Sequence, residues 1–206
     1  MSTSKSVLIV GANRGIGLNL LEATGAKILE IDFLDEKSIA NSAKDFGNQR
    51  LDVLLNVGGL PSKPKSWRDQ TPELFTERFQ VMAVGPFLTI KHFLPNLEKS
   101  NTARVVNISS AFGSVTDNTF GTCMAYRAAK SALNQVTMTY ARELEKEGKN
   151  ITFACMEPGF LPTRLTEYDS VDYMETCIAG IVKVVEGLTM ADNGQFIEWS
   201  GKRLQY

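Results

Sequence analysis

The chain has 206 residues, 43% of them hydrophobic and 22% charged, and its 22 Lys and Arg against 23 Asp and Glu leave a formal net charge of -1. That length buries one substantial core, which fits a single domain over 1–206, and the even charge balance supplies no basic field for nucleic acid. Neither end carries a long apolar segment, so neither secretion nor a membrane span is supported and a soluble, cytoplasmic protein is expected.

The first informative segment is Val7-Leu8-Ile9-Val10-Gly11-Ala12-Asn13-Arg14-Gly15-Ile16-Gly17, an apolar run that passes into a glycine turn and then an amphipathic helix. Glycines permit a tight strand-to-helix turn, and the free N–H groups of the helix start favour an anionic pyrophosphate. The spacing is GxxxGxG, and a glycine-rich turn with no ligand is the competing reading.

Further along, short apolar runs alternate with longer helical patterns, which predicts parallel βαβ units and a doubly wound α/β fold. Six strands are predicted, over 7–11, 27–31, 53–56, 105–109, 152–156 and 196–198, with helices over 15–23, 36–46, 73–99, 125–146 and 171–185. Thr71-Pro72-Glu73 reads as a helix start, with Thr71 as cap and Pro72 in the first turn. The stretch 61–65, with its prolines and lysines, reads as a surface loop.

Residues 105–110 read Val-Val-Asn-Ile-Ser-Ser, and sixteen positions after Ser110 comes Tyr126-Arg127-Ala128-Ala129-Lys130. A tyrosine and a lysine four apart share one helical face, so the ammonium is expected to lower the phenol's pKa and make Tyr126 a general acid/base. Cys123, Cys155 and Cys177 are odd in number with no CxxC, which suggests neither a disulfide framework nor a zinc site. No metal site is expected. His92, the lone histidine, lies in a helical stretch and is read as packed or superficial.

Taken together, these motifs resemble the short-chain dehydrogenase/reductase family across nearly the whole chain. After the glycine turn come Ile31-Asp32-Phe33-Leu34-Asp35 and Asn56-Val57-Gly58-Gly59, then Ser110, Tyr126 and Lys130, then Pro158-Gly159-Phe160-Leu161-Pro162-Thr163. The closing stretch, 188–196 with 201–204, is most similar to the C-factor-like carbonyl reductase branch. The resemblance implies a Rossmann-like sheet and a dinucleotide held by Gly11, Asn13, Arg14, Gly15, Ile16, Gly17, Asp32, Phe33, Asn56, Gly58, Gly59, Tyr126, Lys130, Pro158, Gly159, Leu161 and Thr163. It also implies catalysis by Ser110, which would hydrogen-bond a substrate carbonyl, Tyr126, which would donate the proton, and Lys130, which would bind the nicotinamide ribose.

Three departures from the family pattern stand out. Ordinary members place a helix, a strand, a second helix and a further strand between the glycine turn and the position of Asp32, but this chain has only the fourteen residues 18–31. A βαβ unit takes about 30 residues, so one strand and one helix are missing and the surviving strand, 27–31, should pair directly with the first. The family's Asn-Asn-Ala-Gly is here Asn56-Val57-Gly58-Gly59. Met82 replaces an asparagine that in many members organises a water beside the lysine.

The shortened side leaves the cofactor open between NADP and NAD. Arg14 resembles the basic residue that NADP-preferring branches set near the 2'-phosphate, whereas Asp32, 21 residues after Gly11, stands where a ribose 2'-OH acceptor belongs. The balance falls to NADP. Three functions follow: a reductase of a small carbonyl compound, a non-catalytic scaffold that lost its dinucleotide with the missing strand, and a lyase or isomerase using Tyr126 alone. The long helices 73–99 and 125–146 suggest a homodimer by family analogy.

Overall fold

The computed structural model describes residues 5–24 and 31–206. Five parallel strands, β1 (Val7–Val10), β2 (Val53–Asn56), β3 (Ala103–Ile108), β4 (Ile151–Glu157) and β5 (Gln195–Glu198), pair in that spatial order. The registers set Val10 beside Asn56, Asn56 beside Asn107, and Asn107 beside Cys155, so one row of residues marks the carboxyl edge of the sheet.

Because successive strand residues point to opposite faces, near-continuous apolar runs produce two cores. Leu8, Val10, Leu54, Val105 and Phe153 face one layer with Ile39, Phe46, Phe93 and Leu144. Ile9, Val53, Leu55, Val106 and Ala154 face the other with Leu20, Ile178 and Ile181. Each such side chain withdrawn from water contributes about 1.5–3 kcal/mol. Helices α2 (Glu36–Phe46), α4 (Gly85–Leu97) and α5 (Met124–Lys146) therefore cover the first face, and α1 (Gly15–Thr24) and α6 (Met174–Gly187) the second. Between α1 and α2 the chain passes from one face to the other.

The strand expected over 27–31 lies outside the described residues except for Ile31, and so does its expected pairing with β1. The other five strands and all the helix positions match the sequence pattern, with two corrections. The single helix expected over 73–99 is three pieces: α3 (Pro72–Phe79), a π-helical turn over Gln80–Val84, and α4. The Gly85 N–H donates to Gln80 O, five residues back, and Pro86 has no N–H to continue the ordinary register. Helix α6 starts three residues later than expected, because the N–H groups of Val171 and Asp172 donate to Phe160 O and the Asp172 carboxylate accepts from Phe160 N. Thr71 caps α3 as expected, its hydroxyl accepting from Leu74 N at 3.3 Å.

Candidate active site

The glycine turn after β1 is closed by backbone contact. Gly11 has φ of 91°, and a Cβ there would stand 2.6 Å from Gly58 N; a Cβ on Gly17 would stand 2.2 Å from Gly11 O. Only glycine allows these approaches. A Cβ on Gly15 would touch the Thr163 methyl at 3.5 Å. The turns after β1, β2 and β4 thus converge, bringing together Gly11, Gly15, Gly17, Gly58 and Thr163. The first turn of α1 carries no acidic residue, which leaves its N–H groups open to an anion. This cradle fits the pyrophosphate of a dinucleotide.

The remaining expected cofactor residues fall into two groups. Asn13, Arg14 and Asp32 are exposed; the Asp32 carboxylate accepts from Leu34 N at 2.9 Å in a local turn. Buried residues form the other group. Phe33 is 7% exposed and packed between Gly58 and Gly85, where a Cβ would meet its ring at 2.5 Å in each case. Its side chain is a core element, so only its backbone is available at the edge. Ile16 joins the second core, Leu161 is buried, and Pro158-Gly159 forms the turn after β4, with Gly159 at φ of 91°. Asn56 donates to Asn107 Oδ1 at 2.8 Å, and Asn107 to the Thr137 hydroxyl at 2.8 Å, while Asn56 Oδ1 is buried without a partner among the described residues.

Ser110, Tyr126 and Lys130 meet at the end of β3. Ser110 leaves the strand in extended conformation; its hydroxyl accepts from Phe112 N at 3.2 Å and lies near enough to the Tyr126 phenol to act against the rise of its pKa. Ser109 points the other way as alternation requires, donating to Asn134 Oδ1 at 2.6 Å. Lys130 is buried, its ammonium donating to Ile108 O at 2.7 Å and lying 5.8 Å from the centroid of the Tyr126 ring.

The electrostatics correct one expectation. Lys130 was expected to lower the Tyr126 pKa, but burial and then the Glu157 carboxylate push that phenol well above its ordinary range, against the hydrogen bond from Ser110. Burial pushes Lys130 itself down to about 8, opposed by Glu157 and Cys155. The ammonium donates to a backbone carbonyl and is not among the groups that shift the phenol. Tyr126 therefore holds its proton firmly.

Sequence reasoning missed Glu157. Its carboxylate accepts from Ala111 N and, at 3.1 Å, from Gly159 N, so it joins the turn that carries Ser110 to the turn after β4. Burial raises its pKa, opposed by those two N–H groups and by Lys130. A charged residue closing the apolar run of β4, directly before Pro158-Gly159, was the available signal. Met82 is fully buried in the π turn, as its apolar character requires. Cys123 is also buried, at φ of 52° just before α5, and His92 is half-buried against Glu36. Among the described residues no group of His, Cys, Asp and Glu could hold a metal, and no helix is long and apolar enough to cross a membrane.

A parallel α/β sheet with a glycine cradle at its carboxyl edge and a Ser, Tyr and Lys set beside it defines a Rossmann-like protein. The chain belongs to the short-chain dehydrogenase family, whose model, described as short chain dehydrogenase, matches residues 19–173. It is 27% identical over 156 residues to the C-signal protein of Myxococcus xanthus, covering 76% of this chain and 93% of that one. It is 26% identical to 1-hydroxy-2-glutathionyl-2-methyl-3-butene dehydrogenase of Rhodococcus sp., over 98% and 99% of the two chains. Among solved structures it resembles the NADPH-bound carbonyl reductase from chicken fatty liver, with a TM-score of 0.87, 25% identity and 98% and 99% coverage. Carbonyl reductase Sniffer of D. melanogaster gives a TM-score of 0.89 at 25% identity, with 99% and 100% coverage. These relatives support an NAD(P)-dependent oxidoreductase.

Proposed function

We propose that the protein reduces the carbonyl group of a ketone or aldehyde, using NADP(H) in preference to NAD(H). The observation that carries this reading is the gathering of Ser110, Tyr126 and buried Lys130 at the end of β3, the same sheet edge as the glycine cradle. Two hydroxyls at one edge can hold one carbonyl oxygen, and the phenol, which carries its proton at ordinary pH, is the donor. Lys130, buried and with a lowered pKa, sits beneath the pair and hydrogen-bonds a ribose hydroxyl. Gly11, Asn13, Arg14, Gly15, Ile16 and Gly17 hold the phosphates, Asn56, Gly58 and Gly59 border the nicotinamide side, and Pro158, Gly159, Leu161 and Thr163 close it from β4. When bound, the nicotinamide supplies the hydride.

The preference for NADP rests on Arg14, an exposed guanidinium at the open start of α1, and on the NADPH carried by the chicken carbonyl reductase. Asp32, bound into its own turn, opposes it. Calorimetric titration with NADPH, NADH and NADP+ tests the reading, followed by NADPH consumption with aromatic and aliphatic ketones and aldehydes. Binding of NADPH with turnover is expected. Absence of binding at millimolar dinucleotide would leave the non-catalytic scaffold, the reading that buried Met82 favours. A homodimer through α4 and α5 is part of the proposal, and light scattering that returns a mass near 22.7 kDa at micromolar concentration would refute it.

A further inference from the structure

Arg127, the residue after Tyr126, is 7% exposed. Its Nε donates to Gly121 O at 2.8 Å and Thr122 O at 3.0 Å, its Nη1 reaches Phe112 O at 3.5 Å, and its Nη2 is buried with no partner among the described residues. The guanidinium carbon lies 4.1 Å and 4.8 Å from the ring centroids of Phe112 and Phe120. The cation is therefore fixed against two aromatic rings by bonds to both ends of the loop that precedes α5. Thr122 and Cys123 in that loop hold φ of 67° and 52°, a conformation that non-glycine residues adopt at a cost and that the Arg127 bonds support.

Arg127 is also one of the residues that line a cavity of about 580 Å³, together with Phe112, Phe120, Trp67, Val115 and Lys65. The size is that of a small-ligand site, and the aromatic walls suit an apolar body. A buried guanidinium stacked on two rings and bonded only to neutral carbonyls, with one nitrogen left over, has no carboxylate bonded to it among the described residues. Its planar donors match a carboxylate better than any other common group.

We propose that this cavity binds a small carboxylic acid with an aromatic or alkyl body, the carboxylate accepting from Arg127 Nη2 and the body lying among Phe112, Phe120 and Trp67. Neither Ser110 nor Tyr126 lines this cavity, and the proposal does not depend on the reductase reading. Phe112 connects the cavity to that pair. The Phe112 ring meets the Tyr126 ring edge-on at 6.2 Å, and its N–H donates to the Ser110 hydroxyl. A bound acid that moves Phe112 is thereby felt at the proposed proton donor.

The test is calorimetric titration of the full chain with phenylbutyrate and with its neutral analogue phenylbutyramide. Wild type should bind the acid at least about tenfold more tightly than the amide, the difference that one charge-assisted hydrogen bond makes. Arg127→Gln should abolish that preference. Val115→Trp, a substitution on a loop at a position 74% exposed, should fill the cavity and weaken both ligands without loss of folding. Equal binding of acid and amide by wild type, or acid binding unchanged in Val115→Trp, would overturn the proposal. So would wild type that binds neither ligand and is dimeric, with Val115→Trp monomeric, because the cavity would then belong to a second copy. If Arg127→Gln does not fold, the wild-type comparison and Val115→Trp carry the test.

Discussion

At the carboxyl ends of β3 and β4 each polar side chain is bound to another group, whereas beyond β1 the polar side chains stand in solvent. Ser109 is bonded to Asn134, Ser110 to Phe112 N, Lys130 to Ile108 O, and Glu157 to the N–H groups of Ala111 and Gly159. Asn13 and Arg14 are exposed, and the Asp32 carboxylate accepts only from Leu34 N among the described residues. The fold thus preorganises the half of the site where a proton would move and leaves the half that would read the adenosine to a few free side chains. Preorganisation matters most where charge develops, and recognition of a phosphate tolerates a mobile cation.

The strongest way to break that contrast is at the phenol. Tyr126→Phe removes one hydroxyl from the organised half and leaves its packing, including the edge contact with Phe112, in place. Turnover of carbonyl substrate should fall by about 10²–10⁴-fold, with the melting temperature and NADPH affinity unchanged. Retained turnover would remove Tyr126 from the chemistry. On the other side, Phe33 is what holds the edge together, since it fills the space that two glycines vacate. Phe33→Ala should cost about 3–5 kcal/mol in urea unfolding. A loss below about 1 kcal/mol would mean that Gly58 and Gly85 collapse onto each other and that the ring is dispensable.

Much of the organised half was legible in the sequence, and the reason is local chemistry. Short apolar runs located the strands, helical spacing put Tyr126 and Lys130 on one face, and glycine spacing marked the turn after β1. What was not legible depended on contacts distant in sequence. Glu157 stands 46 residues from Ala111, and its place at the end of an apolar run marks it as unusual without telling which N–H groups its carboxylate will bridge. The pKa order of Tyr126 and Lys130 was also hidden, because helical spacing fixes a shared face but not what the ammonium bonds to. Ile108 O, 22 residues away, takes that ammonium. Phe33 counted as a cofactor residue through the family resemblance, and only the tertiary fold shows its ring between two glycines.

Cofactor selectivity sharpens the comparison at the exposed half. Arg14→Ala should weaken NADPH by about 1.5–3 kcal/mol and leave NADH nearly unchanged, since a charged hydrogen bond to the extra phosphate is lost. Asp32→Ala should act in the opposite sense, tightening NADPH and weakening NADH, if its carboxylate turns from Leu34 N toward the ribose. Titration of both variants with both dinucleotides separates the two residues. Equal losses for NADPH and NADH in Arg14→Ala would show that the guanidinium meets only the shared pyrophosphate.

The smallest expected effect concerns the charge buried in the organised half. Lys130 has its pKa lowered from 10.5 to about 8 in the folded chain, chiefly by burial. Below about pH 8 both folded and unfolded chains carry that proton, so the cost of burying the charge is fully present. Between about pH 8 and the unfolded value the unfolded chain binds a proton that the folded chain does not, and stability must rise with pH. Tyr126, Tyr140 and Cys155, all pushed upward by burial, act in the opposite direction at higher pH. Comparison with Lys130→Met cancels most of their contribution. Urea midpoints for the two proteins from about pH 7.5 to pH 9.5 should therefore diverge, wild type gaining up to about 1.4 kcal/mol per pH unit relative to the variant. A difference that stays flat across that window would mean that the ammonium keeps its proton at Ile108 O, and that the organised half tolerates a buried charge at ordinary pKa.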